Sequence, residues 1–198
     1  DEVRTWDDFY EAAKKVSATG SYITSDSGDA GFFDSMTWLA GATPFETGED
    51  GTSVKINLTG DDKVQSFIDF WQKLIDEDLI DTKTAGWTDE WNRGLNDGSI
   101  ASLLTGAWMP YNLLSGAPDG AGKWRIAQMP PLGGSETNSE NGGSSLAVIK
   151  TDDEAKAEAA YKFAEYACHN ADGVGVRVEG GAFPADNETL ASEDFLNM

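Results

Sequence analysis

Residues 95–134 read LNDGSIASLLTGAWMPYNLLSGAPDGAGKWRIAQMPPLGG. Trp91 and Leu95 end a helix that Gly98 stops, since glycine enters the left-handed region that closes a helix without a Cβ penalty. Ser99–Leu104 then reads as a buried strand. Gly106-Ala107 is a small-residue turn, and Trp108 follows it at once, so a large flat indole stands where a strand ends. A short apolar helix and a Gly/Pro/Asp loop lead to Trp124–Met129, whose alternation predicts a second strand. Pro130, Pro131 and two glycines close it. A Trp at a strand-to-helix turn, with a strand running into a Pro/Gly crossover, reads as a ligand platform beside a hinge. In open α/β sheets, ligands settle beyond the carboxyl ends of the strands.

Outward from this stretch the pattern alternates helices with short strands. Thr5 with Asp8 forms a capping-box signature, and Trp6, Phe9, Tyr10, Ala13 and Val16 make the stripe of a helix that ends at Gly20. Tyr22–Thr24 is a short strand, Phe32–Leu39 a helix, Thr43–Ser53 a loop, and Val54–Leu58 an exposed edge strand. Asp61 opens the clearest helix, with Val64, Phe67, Ile68, Trp71, Leu74 and Ile75 on one face. A short helix follows at Thr88–Asn96. Gly133–Ser145 is too long and polar for a tight connection. Leu146–Ile149 reads as a buried strand. Thr151 with Glu154 caps a helix running to Asn170, with Ala160, Phe163, Ala164 and Ala167 on one face; Gly173–Glu179 adds a further helical turn. The class is α/β.

Composition narrows the function. Thirty-five acidic residues against 14 basic ones give a formal net charge of −21. That surface repels phosphate backbones and excludes nucleic acid as a partner. The one cysteine, Cys168, rules out an intrachain disulfide and reads as a small core residue; the one histidine, His169, is its neighbour. Adjacent helix positions point apart, so these two build no metal site. No phosphate-binding glycine loop, nucleophile elbow or interpretable carboxylate pair is present. Asp7, Asp8 and Glu11 lie on a solvated helix face. The sequence therefore calls for no catalytic residue, metal or cofactor.

Many short elements occur in one order: Thr5-Trp6-Asp7-Asp8-Phe9, Trp38-Leu39-Ala40-Gly41-Ala42, Leu95-Asn96-Asp97-Gly98-Ser99-Ile100-Ala101, Gly106-Ala107-Trp108, Met129-Pro130, Gly142-Gly143 and Phe183-Pro184. In that order they resemble the extracellular solute-binding proteins of ABC sugar importers, the maltose-binding-protein-like class. The resemblance covers nearly the whole chain. It implies a periplasmic-binding-protein-like (class II) lobe, with a short mixed sheet surrounded by helices. It places 1–141 mainly in the second, C-terminal ligand-binding lobe, a hinge crossing at 142–145, a segment of the first lobe at 146–182, and a return toward the second lobe at 183–198. It also implies that the opening of the first lobe, a signal sequence and any lipoprotein cysteine precede Asp1. On that mapping the apolar face of 146–182 lacks part of its normal partner.

The function so implied is binding of a mono- or oligosaccharide in an interlobe cleft, and its delivery to ABC permease subunits outside the cell or in the periplasm. The alternative is a secreted glycan-active enzyme or carbohydrate-binding module. Sugar binding needs flat apolar faces for the ring and polar groups for the hydroxyls. Seven Trp, five Tyr and nine Phe are available, but Trp6, Phe9, Phe67 and Trp71 fall on helix stripes and read as core. Trp108 is the leading ligand contact, by its place and by the resemblance. Trp87 stands in a polar loop just before a helix cap. Phe32, Phe33 and Asp34 follow the Gly28–Gly31 loop, where the resemblance puts a ligand-facing aromatic; the two Phe read equally as anchors of the helix core. Gly143 and Ser144, with Gly142, offer N–H groups and a hydroxyl at the hinge, or are simply a flexible loop.

Overall fold

Thr5 starts the first helix, α1 (Trp6–Ser17), as its side chain predicts. Its Oγ1 accepts the Asp8 N–H at 3.0 Å, and the Asp8 carboxylate accepts the Thr5 N–H at 3.0 Å. This reciprocal cap satisfies helix-end donors that would otherwise need water. Side-chain caps recur down the chain: Asp29 opens α2 (Ala30–Leu39), Asp61 opens α3 (Asp62–Asp76), and Thr88 opens α4 (Asp89–Asp97), which ends on Gly98 at φ +85°. The computed structural model describes residues 3–132 and 138–197, so the first five positions of the Gly133–Ser145 stretch lie outside the described residues.

Contacts divide the chain into two units, one of 1–106 and 116–141, the other of 107–115 and 142–198. The centre of the first is a parallel backbone pairing. β1 (Thr24–Ser25) pairs in parallel with β4 (Ile80–Asp81), in the register Thr24↔Ile80 and Ser25↔Asp81. On its other side, Tyr22 bridges Ile100 in parallel, and the Ala101 and Ser102 N–H groups donate to the carbonyls of Tyr22 and Ile23, both at 2.9 Å. Parallel neighbours need crossovers, and α3 and α4 lie in the two connections. One core covers this pairing: Trp6, Phe9 and Ala13 of α1, Met36 and Leu39 of α2, Phe67, Trp71 and Leu74 of α3, and Ile23, Leu79 and Ile80 of the strand layer.

Antiparallel pairing also occurs, in a separate hairpin. β2 (Phe45–Thr47) pairs with β3 (Val54–Ile56) through Phe45↔Ile56 and Thr47↔Val54. The expected loop over Thr43–Ser53 thus contributes a strand, which supplies the partner of the predicted edge strand. All six hairpin residues are exposed.

The second unit, taken by itself, is helical. It holds most of α5 (Met109–Gly116), then α6 (Glu154–His169), α7 (Ala171–Glu179), α8 (Asn187–Leu190) and α9 (Glu193–Leu196). The Arg177 guanidinium donates to the Ala167 carbonyl at 3.3 Å and ties α7 to α6. Phe183 and Phe195 meet edge to face at 5.2 Å. Gly181 lies against the Tyr111 ring, where any side chain would overlap it.

Several expectations are corrected. Trp124–Met129 forms no strand, and Ile126 is 88% exposed; alternation alone makes no strand where no edge is offered. Leu146–Ile149 likewise forms no strand and is exposed, for the same reason. In Ser99–Leu104 only the first residues pair, because β1 ends at Ser25. The cap of α6 is Asp153, not Thr151: its carboxylate reaches the Ala155 and Lys156 N–H groups at 3.1 Å, which a residue two positions earlier cannot. No residue of α6 is buried, so the Ala/Phe face is open and Cys168 is exposed rather than core.

Phe67 is 2% exposed at the middle of the first unit's core. Phe67→Ala should cost about 3–5 kcal/mol of stability, the range for emptying a buried aromatic site. Urea unfolding followed by circular dichroism measures it, and a loss under about 1 kcal/mol would mean that the core closes elsewhere.

Candidate functional site

In the first unit, the carboxyl ends of the parallel strands gather aromatic rings and short polar side chains. Alternation along β1 sends successive residues to opposite faces. Ser25 Oγ accepts the Trp91 indole N–H of α4 at 3.0 Å, while Asp26 Oδ2 accepts the Trp71 indole N–H of α3 at 2.8 Å. The Asp26 N–H donates to the Asp81 carbonyl at 2.9 Å, which joins the ends of β1 and β4. Each buried Trp ring therefore packs as core and delivers its one polar atom to the strand end.

Trp87 completes this cluster. Its ring stands 5.3 Å from that of Trp91, tilted by 42°. It is 59% exposed, and its backbone sits at φ +66°. A bulky residue in the left-handed region is a true outlier, costing on the order of 1–3 kcal/mol, and such strain concentrates at ligand clamps. A large indole held out to solvent on a strained backbone, at the strand ends of an α/β unit, has the marks of a binding platform.

Phe32 and Phe33 are half-buried, and both pack onto α3: Phe32 against Trp71 at 5.1 Å and Phe33 against Phe67 at 5.9 Å. Phe32 thus touches the ring that holds Asp26, while Phe33 faces the core. Asp34 is half-buried, and its carbonyl accepts the Thr37 hydroxyl at 2.8 Å. Asp81 folds onto its own turn, accepting the Lys83 and Thr84 N–H groups at 2.9 and 3.2 Å. Burial raises the pKa of this carboxyl, but the hydroxyl and N–H of Thr84 and the N–H of Lys83 outweigh it, leaving the group below the ordinary carboxylate value.

The second unit brings together two of the sequence candidates on its own. Trp108 is half-buried, and its carbonyl accepts the Asn112 amide at 3.1 Å, anchoring the indole at the start of α5. Gly142, at φ +83°, passes so close that a Cβ there would stand 3.7 Å from Trp108 Nε1. Gly143 and Ser144 follow it, both exposed. A hollow of about 410 Å³ elsewhere in this unit is lined by Lys162, Glu165, Tyr166, His169, Asn170 and Ala171, none of them a candidate contact. Among the described residues, no group of three or more His, Cys, Asp or Glu could hold a metal ion, and no helix is long and apolar enough to cross a membrane.

Ser25, Asp26, Trp71 and Trp91 were not singled out as site residues by the sequence. Trp71 and Trp91 carry the apolar spacing of core helices, which hides the direction of their N–H groups. The signal that reaches Asp26 is its place immediately after the first short strand, where the crevice rule puts a ligand.

A family model described as bacterial extracellular solute-binding protein matches residues 1–195. A lactose-binding protein of Rhizobium radiobacter is 32% identical over 150 residues, which cover 74% of this chain and 34% of that protein. An arabinooligosaccharide-binding protein of Bacillus subtilis (strain 168) is 27% identical over 153 residues, 76% of this chain and 34% of the relative. Among solved structures, the ABC transporter associated binding protein from B. animalis subsp. lactis Bl-04, in complex with beta-1,6-galactobiose, is 60% identical with a TM-score of 0.91, covering 100% of this chain and 48% of that one. The galacto-N-biose-/lacto-N-biose I-binding protein of the ABC transporter from Bifidobacterium longum, in complex with lacto-N-biose, is 26% identical with a TM-score of 0.75, covering 94% and 45%. The chain thus spans about a third of the length of the curated relatives it matches and about half that of the solved ones.

The Asp81 turn carries a pH dependence of defined sign. A carboxyl with a lowered pKa in the folded state stabilises fully above its unfolded value, 3.8, and loses that contribution as pH falls through the folded one. The urea midpoint of the unaltered protein should therefore fall more steeply below pH 4 than that of Asp81→Asn, which keeps an acceptor but does not titrate. Relief of acidic self-repulsion acts nearly alike on both proteins. Parallel midpoints from pH 5 to 2.5 would remove Asp81 from the account.

Proposed function

We propose that this chain, which belongs to the bacterial extracellular solute-binding protein family, carries carbohydrate-gripping residues of an ABC sugar importer's binding protein. The observation that supports this most is Trp87, an exposed indole on a strained backbone, braced by Trp91 above the polar ends of the parallel strands. A pyranose presents a flat CH face that packs on such a ring, and its hydroxyls need short polar partners beside it. Trp108, with Gly142, Gly143 and Ser144, provides a second set of contacts of the same kind in the second unit. Phe32 borders the Trp71–Asp26 pair, and Phe33 and Asp34 belong to the same helix.

The ligand class of the proposal is a β-galactosyl oligosaccharide. Two similar structures are in complex with beta-1,6-galactobiose and lacto-N-biose, and a curated relative is named for lactose. Each of these sugars contains galactose. The lobe assignment is part of the same reading: 1–141 in one lobe, a crossing at 142–145, 146–182 in the other and 183–198 returning. The division of contacts between 141 and 142 supports it, with 107–115 joining the second unit. Delivery to permease subunits, a location outside the cell or in the periplasm, and attachment through a lipid-modified cysteine complete the proposal. Binding rather than hydrolysis is the activity. A reducing-sugar assay across β-galactosides should show no turnover, and turnover abolished by a single carboxylate substitution would replace this reading with an enzymatic one.

Calorimetric titration of the full-length protein with galactobiose, lactose, lacto-N-biose and arabino-oligosaccharides tests the ligand class. Trp87→Ala should weaken binding of the preferred sugar by about 1–3 kcal/mol, the scale of one well-packed aromatic contact, with the thermal midpoint little changed. Trp108→Ala should do the same. Unaltered affinity in a folded Trp87→Ala protein would sink the platform role.

A further inference from the structure

We propose that Asp26 is the residue that reads the stereochemistry of a sugar hydroxyl, and that the Trp71 indole N–H positions it to do so. The proposal rests on the carbohydrate-binding reading above and adds to it a specificity element that the aromatic platform cannot supply, since every pyranose offers an apolar face.

Asp26 is half-buried immediately after the central strand. Its carboxylate is held from two sides. Oδ2 accepts the Trp71 indole N–H at 2.8 Å, and Oδ1 accepts the Gly28 N–H at 2.9 Å and, more weakly, the Asp29 N–H at 3.4 Å. No lysine or arginine pairs with it among the described residues. A carboxylate offers about four lone-pair sites, so three neutral donors leave it able to accept one more. A half-buried negative charge stabilised only by neutral donors is well matched to a hydroxyl. Asp81, by contrast, spends its Oδ1 on two N–H groups of its own turn.

Rigidity turns this acceptor into a discriminator. Trp71 is 5% exposed and is locked between Phe32 at 5.1 Å and Phe67 at 5.6 Å, so its N–H direction is fixed by the core. With both oxygens pinned, the remaining lone pair has one direction. A hydroxyl of one configuration meets it; the epimer points away and leaves the carboxylate unanswered, which is the circumstance in which hydrogen-bonding sites reject an analogue most strongly. Trp91 lies against Trp87, tilted by 42°, and bonds Ser25, the residue before Asp26.

The test compares galacto and gluco partners in the full-length protein by calorimetry: β-1,6-galactobiose against β-1,6-glucobiose, which differ in the direction of the C4 hydroxyl in both rings, and lactose against cellobiose, which differ in it in the non-reducing ring alone. The unaltered protein should bind the galacto member at least tenfold more tightly. Asp26→Asn should reduce galacto affinity at least tenfold and gluco affinity less than threefold, collapsing the ratio. Trp71→Phe keeps an aromatic ring, though a smaller one, and removes the N–H; it should lower the same ratio, a change that loss of packing alone would not produce. Should Asp26→Asn fail to fold, Trp71→Phe carries the test. A ratio unchanged within threefold in both variants overturns the proposal, as does an unaltered protein that binds both epimers equally or neither. A Trp87→Ala protein that weakens both sugars alike, beside an Asp26→Asn protein with an intact ratio, would sink Asp26 alone; unaltered binding in Trp87→Ala would count against the platform and leave the Asp26 ratio to stand or fall by itself.

Discussion

The first unit depends on the backbone bonds that flank Tyr22–Asp26. This segment receives parallel neighbours on both sides, residues 79–81 and 99–102, through bonds of 2.8–3.1 Å. Its regular strands are only two residues long, so main-chain pairing alone would not hold it. Burial does: Ile23, Leu79 and Ile80 are each 5% exposed or less, and α1, α2 and α3 press Trp6, Phe9, Leu39, Phe67 and Leu74 onto them. The pairing fixes which ends of the strands coincide, and the helices fix what hangs over those ends.

That coincidence makes the candidate site. Parallel strands put all their carboxyl ends on one edge; Asp81 ends β4 there, and the loops leaving the strands carry Asp26 and Trp87. The core rings nearest that edge, Trp71 and Trp91, each have one polar atom that must be satisfied when the ring is buried. Both satisfy it on the strand end, with Asp26 and Ser25. Packing and site chemistry are therefore coupled through two hydrogen bonds: the N–H groups orient the polar side chains, and the rings that orient them cannot turn without opening the core. Trp87 is the complement of this arrangement, exposed and strained where the others are buried and relaxed.

The second unit follows different physics. Its longest helix, α6, buries none of its residues, and Tyr161, Phe163 and Tyr166 stand exposed on it. Its order comes from local capping by Asp153 and Asn170 and from the close α6–α7 turn. The acidic surface is common to the whole chain. A net charge of −21 discourages association with polyanions and suits a neutral ligand held by hydrogen bonds and ring contacts.

The sequence by itself determined the helices, their starts and the class of fold. Thr5, Asp61 and Thr88 cap where their side chains say they should, and the stripes of α1 and α3 became the core, because caps and 3.6-residue periodicity are local properties. The order of short motifs carried the family, and the odd placement of Trp87 and Trp108 marked both for attention. Only the tertiary structure decided which strands exist. Trp124–Met129 and Leu146–Ile149 have the alternation or apolarity of strands but no edge to pair with, while Phe45–Thr47, read as loop, found one in Val54–Ile56. It alone showed that Trp71 and Trp91 reach Asp26 and Ser25, across 45 and 66 residues of chain. A strand needs a neighbour and a hydrogen bond needs a direction, and both are supplied by parts of the chain too distant for any local pattern to encode.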